Sequence, residues 1–418
     1  MNGESKSPSL VAGAWLVVAL LFPVALLNYL DRQMIAAMKI SVMADIPSIG
    51  SEANWGLMLG KFKFVYAFFS PIGGYLADRF SRKNTICASL FVWSAITWWT
   101  GTVDTYTELL WARTLMGISE ACYIPAALAL IADFHLGDTR SRAVGVHQMG
   151  IYCGVMLGGF AGYVADSPAL GWRAAFDYTG LVGVLYAVPL FLFLKDAPRA
   201  VAVAGSPGKP SVGTAARELL TNPSFLLLVT YFTLPAVAAW VVRDWMPAIL
   251  QKSFNISQGK AGVSASLYWQ AAALFAAILG GWMADRWMRR TPRGRIYVSA
   301  IGMGLIIPAL FAVGNAPSLN SLGLAIGALI LFGIGWGFFD CNNMPILCQI
   351  TRPELRATGY GVMNFVSMTF GGGADWLFGV LSDRGVGLNV IFSTFAGVAL
   401  ISVFIVLLIR PREPAAAG

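Results

Sequence analysis

The stretch Gly74-Tyr-Leu-Ala-Asp78-Arg79-Phe-Ser-Arg82-Lys83 closes one apolar run, and Gly281-Trp-Met-Ala-Asp285-Arg286-Trp-Met-Arg289-Arg290 closes another 207 residues later. A second echo joins Arg142-Ala-Val-Gly145 to Arg356-Ala-Thr-Gly359. A polar motif that returns at half the chain length, each time after an apolar run, marks a duplicated helical bundle. Each copy has a physical logic. Gly73 and Gly74 remove side chains where helices approach closely, and a carboxylate at Asp78 can accept from the exposed N–H groups that open the eleventh apolar run. Gly74, Asp78, Arg79, Arg82 and Lys83, with Gly281, Asp285 and Arg286 in the copy, therefore read as a conformational latch; the plainer reading of the cations is anchoring at a membrane surface.

Composition extends this outward from the motif. The chain has 418 residues, 57% hydrophobic and 12% charged, with a mean hydropathy of +0.67. Soluble domains are roughly 45–50% apolar and about 25% charged, so a soluble enzyme, a disordered chain and a nucleic-acid binder are excluded. Apolar runs fall near 11–38, 56–77, 85–103, 108–132, 142–165, 174–194, 223–249, 261–284, 296–314, 319–349, 356–381 and 387–409. Each is long enough to cross a hydrocarbon core of about 30 Å as a helix. The sequence thus predicts an all-α membrane protein of twelve spans in two pseudo-symmetric six-helix bundles, 1–195 and 223–418. They are joined by the polar stretch 196–222, which contains Ala-Gly-Ser-Pro-Gly-Lys-Pro.

Lys and Arg concentrate on alternate loops, from Arg79, Arg82 and Lys83 to Arg286, Arg289, Arg290, Arg293 and Arg295, while the opposite loops hold Lys39, Arg173, Lys252, Lys260 and Arg384. By the positive-inside rule both termini are expected in the cytoplasm, which also accounts for the net charge of +8 without an acidic partner. The apolar run leading to Asn28 reads as a first span and not a removed signal peptide. The five cysteines lie in apolar runs, where no disulfide is expected. Asn255-Ile-Ser matches a glycosylation triplet of a kind that arises by chance.

The doubled Gly-x-Leu-Ala-Asp-Arg loop in a twelve-span pattern resembles the signature of the major facilitator superfamily. Within it, Asn28-Tyr29-Leu30-Asp31-Arg32 resembles both the organic anion:cation (sugar-acid) symporters and the Spinster-type lipid transporters, and Gly117-Ile-Ser-Glu120-Ala-Cys-Tyr123 with Asp138-Thr-Arg-Ser-Arg142 leans toward the latter. The resemblance implies alternating access and a loop that serves conformational switching without binding substrate.

Charges inside spans mark the functional interior, because burying them is costly unless they pair or face a cavity. Asp31 lies about 24 Å past Trp15, and Glu120 about 20 Å before Asp133, too deep for a short carboxylate to reach either surface. Arg113 shares a helical face with Glu120 and can hold Asp31 or Glu120 ionised, whereas burial favours the neutral acid. Asp31, Glu120 and Arg113 are therefore the expected proton-coupling groups, the alternative being static ion pairs that fix packing. Arg32, about 100° around the helix from Asp31, should not share its direction. Lys61 can snorkel outward, and Arg243 and Asp244 are expected near an interface.

Expected substrate contacts are Arg113, Arg32 and Lys63 toward a carboxylate, and His147, Gln148, Tyr152, Trp269, Gln270, Asp340, Asn342, Asn343 and Asn364 toward hydroxyls, for which buried amides and aromatic rings are suited. Tyr268 and Asp375 lie in the same spans. No GxxxxGK[ST] occurs, since Gly60-Lys61 and Gly259-Lys260 continue differently, and His135 and His147 have no ligands at metal-binding spacing. No cofactor, metal or enzyme activity is expected. The reading is a monomeric proton-coupled symporter of a small organic anion, polyol or sugar acid in a bacterial inner membrane. The alternative is a Spinster-type lysolipid or sphingoid carrier or a drug exporter. Partners are the substrate, protons and the bilayer.

Overall fold

A computed structural model of the chain describes residues 13–135, 139–196 and 212–411, which are helical throughout, with no strand among them. In the first half run α1 (Ala14–Ala37), α2 (Lys39–Asp45), α3 (Glu52–Arg79), α4 (Arg82–Thr100), α5 (Tyr106–Glu120), α6 (Tyr123–Phe134), α7 (Arg140–Gly159), α8 (Ala161–Asp166) and α9 (Gly171–Phe193). In the second follow α10 (Val212–Leu220), α11 (Pro223–Phe254), α12 (Gln258–Met288), α13 (Gly294–Asn315), α14 (Leu322–Ile350), α15 (Arg356–Asp383) and α16 (Leu388–Leu408).

Local chemistry sets the ends. Thr105 and Glu108 form a reciprocal capping box at α5, Ser81 caps α4, and Asn222 caps α11 with Pro223 at its first position. Asn255, of the glycosylation triplet, has φ 49° and ends α11 in the left-handed conformation that asparagine tolerates. The fourth span is α5 followed by α6. Pro125 has no N–H for the Ala121 carbonyl, so the ladder opens just after Glu120, and the Ser89 hydroxyl donates to the nearby Ser119 carbonyl at 2.5 Å. The fifth span is α7 followed by α8.

Nine spans are long and apolar enough to cross a membrane by composition among the described residues; α3, α4 and α15 complete the twelve with 28, 19 and 28 residues. The stretch read as a linker contains α10, whose Ala215 and Leu219 are buried.

By internal contacts the chain divides into unit 1 (Met1–Gly50, Lys61–Val203, Ser257–Gly262) and unit 2 (Ser51–Gly60, Ala204–Ile256, Val263–Gly418). In unit 1 the dominant helix pairs are α1 with α7 and α4 with α9; in unit 2 they are α11 with α15 and α13 with α14 and α16. The pairing α1/α7 recurs as α11/α15 and α4/α9 as α13/α16, so the duplication read in the sequence is also a duplication of packing.

Candidate functional site: a buried charge cluster

In unit 1, α1 and α5 bring together four of the ionisable residues that the sequence singles out, Asp31, Arg32, Arg113 and Glu120, and Lys63 is buried on α3. Asp31 is 1% exposed, Arg32 6%, Lys63 3%, Arg113 2% and Glu120 0%. Arg32 Nε donates to Glu120 Oε2 at 2.6 Å. Arg113 lies across from Asp31, with Nη1 to Oδ1 at 3.7 Å, an ion pair without a hydrogen bond, while Asp31 Oδ2 accepts from the Thr97 hydroxyl. Neighbours in sequence, Asp31 and Arg32 are both buried because their directions, about 100° apart, meet different partners. Arg113, expected against either acid, takes Asp31.

Aromatic rings complete the enclosure. The Arg32 guanidinium lies 4.8 Å from the Tyr29 ring centre, 4.9 Å from Phe62 and 4.7 Å from Tyr66. Arg113 lies 4.9 Å from the same Phe62 ring. One ring thus lies against two cations, each contact worth about 0.5–2 kcal/mol when desolvated. The four groups Asp31, Arg32, Arg113 and Glu120 balance in charge, so a proton added to either acid frees a guanidinium for another anion.

The sequence reading missed Thr97, Phe62 and Tyr66. It also left out Asn28, one helical turn before Asp31, which is fully buried with neither amide atom bonded among the described residues. Asn28 and Asp31 share a face at i, i+3, a spacing that could have flagged it.

Other expected site residues lie elsewhere. His147 is 1% exposed, 2.8 Å from the Tyr123 hydroxyl, which also reaches the Leu21 carbonyl at 3.1 Å. Gln148 and Tyr152 are half-buried on the same helix. In unit 2, Trp269 and Gln270 are buried, with Trp269 edge-on to Phe332 at 5.8 Å. Asn342 Nδ2 donates to the Phe338 carbonyl of its own helix at 2.9 Å, whereas the buried Asn343 amide has no partner among the described residues. Asp340 and Asn364 are half-buried and Asp375 is buried. Asp244, expected near an interface, is 6% exposed inside unit 2, and Lys61 is exposed. Unit 2 also carries an aromatic band unmarked in the sequence reading. Phe339 meets Tyr231 at 5.2 Å, Phe232 at 6.0 Å and Trp336 at 4.9 Å, and Trp336 stacks on Phe332 at 6.2 Å.

At the repeated loops, the Asp78 side chain lies outside those described. Arg82 pairs with Asp133 and donates to the Ala129 carbonyl at 3.1 Å, and Asp196 accepts from the Lys83 N–H at 2.9 Å. In the copy, Arg295 pairs with Asp285 at 3.3 Å and Arg286 lies 5.9 Å from the Trp282 ring.

A duplicated twelve-span helical fold with a charge-balanced cluster in its interior defines a membrane transporter. The chain belongs to the Major Facilitator Superfamily, whose family model matches residues 21–374. Among its relatives, Protein spinster homolog 1 of Bos taurus is 31% identical over 400 residues, covering 88% of this chain and 73% of that protein. A crystal structure of a bacterial homologue of the human lysosomal transporter Spinster, in an inward-facing and occupied conformation, superposes with a TM-score of 0.82 at 20% identity, covering 99% of this chain and 100% of that one. A D-xylose–proton symporter shares the fold with a TM-score of 0.76 at 16% identity, over 95% of this chain and 98% of that one.

Proposed function

We propose that the protein couples proton movement to the transport of an organic anion, and that the anion is an amphiphile of the kind the Spinster resemblance implies. The observation that carries the coupling is the crossed arrangement of Asp31–Arg113 and Arg32–Glu120. Protonating Asp31 releases the Arg113 guanidinium to an anionic headgroup; binding of that anion and loss of the proton then compete for one cation. Desolvation makes the exchange steep, because an unpaired charge in the interior is strongly disfavoured. Arg113, and Lys63 on α3, would receive the headgroup, and the Tyr29, Phe62 and Tyr66 rings of the same unit would meet the apolar part next to it. The Asp78 and Asp285 loops would act as the latch at the cytoplasmic side, the two six-helix halves moving about the 196–222 linker. The protein would work as a monomer in a cytoplasmic membrane with both termini inside.

A second reading, a sugar-acid substrate, is favoured by the Asn343 amide, buried in unit 2 with nothing in the described fold to bond. Proteoliposome uptake under an imposed pH gradient tests the coupling, with radiolabelled lysophospholipid and hexuronate as the two substrates. Uptake of either that needs sodium and ignores the pH gradient overturns proton coupling; uptake of hexuronate alone selects the second reading.

A further inference from the structure

Helix α1 has a proline in its interior, Pro23, and the fourth span has another, Pro125. Each lacks the N–H that would close its ladder, so the Ala19 and Ala121 carbonyls are left without their ladder donors. Inside unit 1 the two open turns are tied to each other. Glu120, just before the break in the fourth span, accepts at 2.6 Å from Nε of Arg32, nine residues past Pro23. Tyr123, just after that break, donates at 3.1 Å to the carbonyl of Leu21, two residues before Pro23. A second phenol comes from α9, where the Tyr186 hydroxyl donates to the Leu20 carbonyl at 2.9 Å. Two consecutive carbonyls of the turn leading into Pro23 thus each carry a tyrosine hydroxyl.

The Tyr123 hydroxyl has one proton and two neighbours, the Leu21 carbonyl and His147 Nε2 at 2.8 Å. A carbonyl can only accept. Both bonds exist together when the phenol donates to Leu21 and the imidazole carries its N–H at Nε2 and donates to the phenol oxygen. Trp93 meets the Tyr123 ring edge-on at 5.5 Å. Helix α7, which carries His147, backs the same turn. A Cβ on Gly150 would lie 2.8 Å from the Phe22 carbonyl oxygen, and one on Gly154 2.2 Å from that of Leu26.

The second half of the chain shows what is particular to the first. Pro235, Arg243 and Asp244 stand 212 residues after Pro23, Asp31 and Arg32, and Asp340, Asn343 and Pro345 stand 220 after Glu120, Tyr123 and Pro125. The prolines recur, and so do the charges with the doublet reversed, but an asparagine takes the place of the tyrosine. The Asn343 amide is buried without a partner among the described residues, and so is the hydroxyl of Thr233, which stands 212 after Leu21. The bridge that Tyr123 makes in unit 1 is not made at these positions of unit 2.

We propose that Tyr123 and Tyr186 are positioning residues. Their hydroxyls fix the direction that α1 takes across Pro23, and so set Arg32 on Glu120 and Asp31 opposite Arg113, with His147 aiming the Tyr123 proton at α1. The placement is sensitive. Arg32 lies about 13 Å past Pro23, so a change of about 5° at that turn shifts it by about 1 Å, which takes a 2.6 Å hydrogen bond out of range. That the placed residues carry coupling rests on the proposed function; the hold on α1 does not.

The test is a cycle between the proline and the phenols in the full-length protein. Tyr123→Phe and Tyr186→Phe keep the rings and remove the hydroxyls, while Pro23→Ala returns the N–H that closes the ladder on Ala19. Hydrogen–deuterium exchange of the α1 amides from Val24 to Asp31 is read by mass spectrometry with neither substrate nor gradient present. It should be about fivefold faster in each phenylalanine variant, the factor that corresponds to a hydrogen bond of about 1 kcal/mol. With Pro23→Ala alongside, the same substitutions should change exchange by less than about twofold. Equal acceleration in both backgrounds, or none in either, overturns the proposal. If Pro23→Ala does not fold, Pro23→Ser, which also returns the N–H, is judged by the same criterion. His147→Phe leaves the phenol able to donate to Leu21 and should speed exchange less than Tyr123→Phe does; an equal effect assigns the bond to the imidazole and overturns the hold on α1. Uptake of radiolabelled lysophospholipid under a pH gradient should fall about fivefold in Tyr123→Phe and recover to within about twofold of the parent when Pro23→Ala is added, a rescue that a general loss of structure would not show. Faster exchange with unchanged uptake overturns the positioning role. A parent protein that takes up no lipid refutes the proposed function instead, and the exchange cycle still decides the hold.

Discussion

Removing the carboxylate charge from Asp31 and from Glu120 should have different consequences, and the geometry sets the difference. At an effective dielectric of 20, the 2.6 Å separation of Arg32 and Glu120 corresponds to about 6 kcal/mol of attraction, and the 3.7 Å separation of Arg113 and Asp31 to about 4.5 kcal/mol. The gap is roughly 2 kcal/mol, or about twentyfold in an equilibrium. It widens because Arg32 also donates a hydrogen bond to Glu120, which Arg113 does not do for Asp31. Asp31 is thus the carboxylate more readily parted from its cation, and Glu120 the one that holds a helix pair together.

Asp31→Asn should abolish gradient-driven accumulation and leave counterflow within about threefold of the parent, since the amide mimics the protonated state and exchange needs no net proton movement. Glu120→Gln should lower both modes together and lower stability. A broken buried pair costs about 3–5 kcal/mol, and here three rings still face Arg32, which favours the low end. At about 2–4 °C per kcal/mol, Tm in detergent should fall by roughly 6–12 °C. The assays are paired counterflow and pH-driven uptake, with Tm from a thermal size-exclusion series. Full accumulation by Asp31→Asn would refute the assignment, as would a Glu120→Gln protein with unchanged Tm and selective loss of accumulation.

Asn28→Leu should raise Tm by a few degrees while lowering uptake, because replacing a buried amide that has no partner by an apolar group of similar shape removes a desolvation cost of about 1–3 kcal/mol; a fall in Tm measured by the same series would show that the amide is bonded within the fold. Arg113→Ala should stop both counterflow and gradient-driven uptake, with Arg113→Lys a partial rescue since it keeps the charge without the planar fork; full activity of either variant in both assays would place Arg113 outside the site. Asp78→Asn should slow exchange in counterflow while equilibrium substrate binding, read by thermal shift, stays near the parent value, and the reverse pattern would move Asp78 into binding.

The architecture was legible because duplication writes itself twice: Asp78 and Asp285 carry the same neighbours at the same place in the span pattern. The burial of Asp31, Arg113 and Glu120 was legible too, since residue count along a helix places them far from either end of an apolar run. Which acid faces which guanidinium was not. That depends on how α1 turns against α4 and α5, and a helical phase known to within a residue, about 100°, cannot choose between two neighbours. Phe62 and Tyr66 stayed hidden among aromatics that make up 13% of the chain, and Thr97 looks like any hydroxyl until Asp31 is seen beside it. The same polarity misleads in the other direction. Helix α3 carries Lys61 and Lys63 and α15 carries Asp375, and both fall short of the apolarity of an ordinary span. Asp166 and Asp383 were overlooked for a related reason: at the edge of an apolar run an aspartate reads as a loop residue. What distinguishes them is that they are repeat counterparts, 217 residues apart, each accepting from a Ser-initiated helix start, Asp166 from that of α12 and Asp383 from that of α3. In a duplicated chain, polar residues that keep their partners at both copies carry structural information that hydropathy discards.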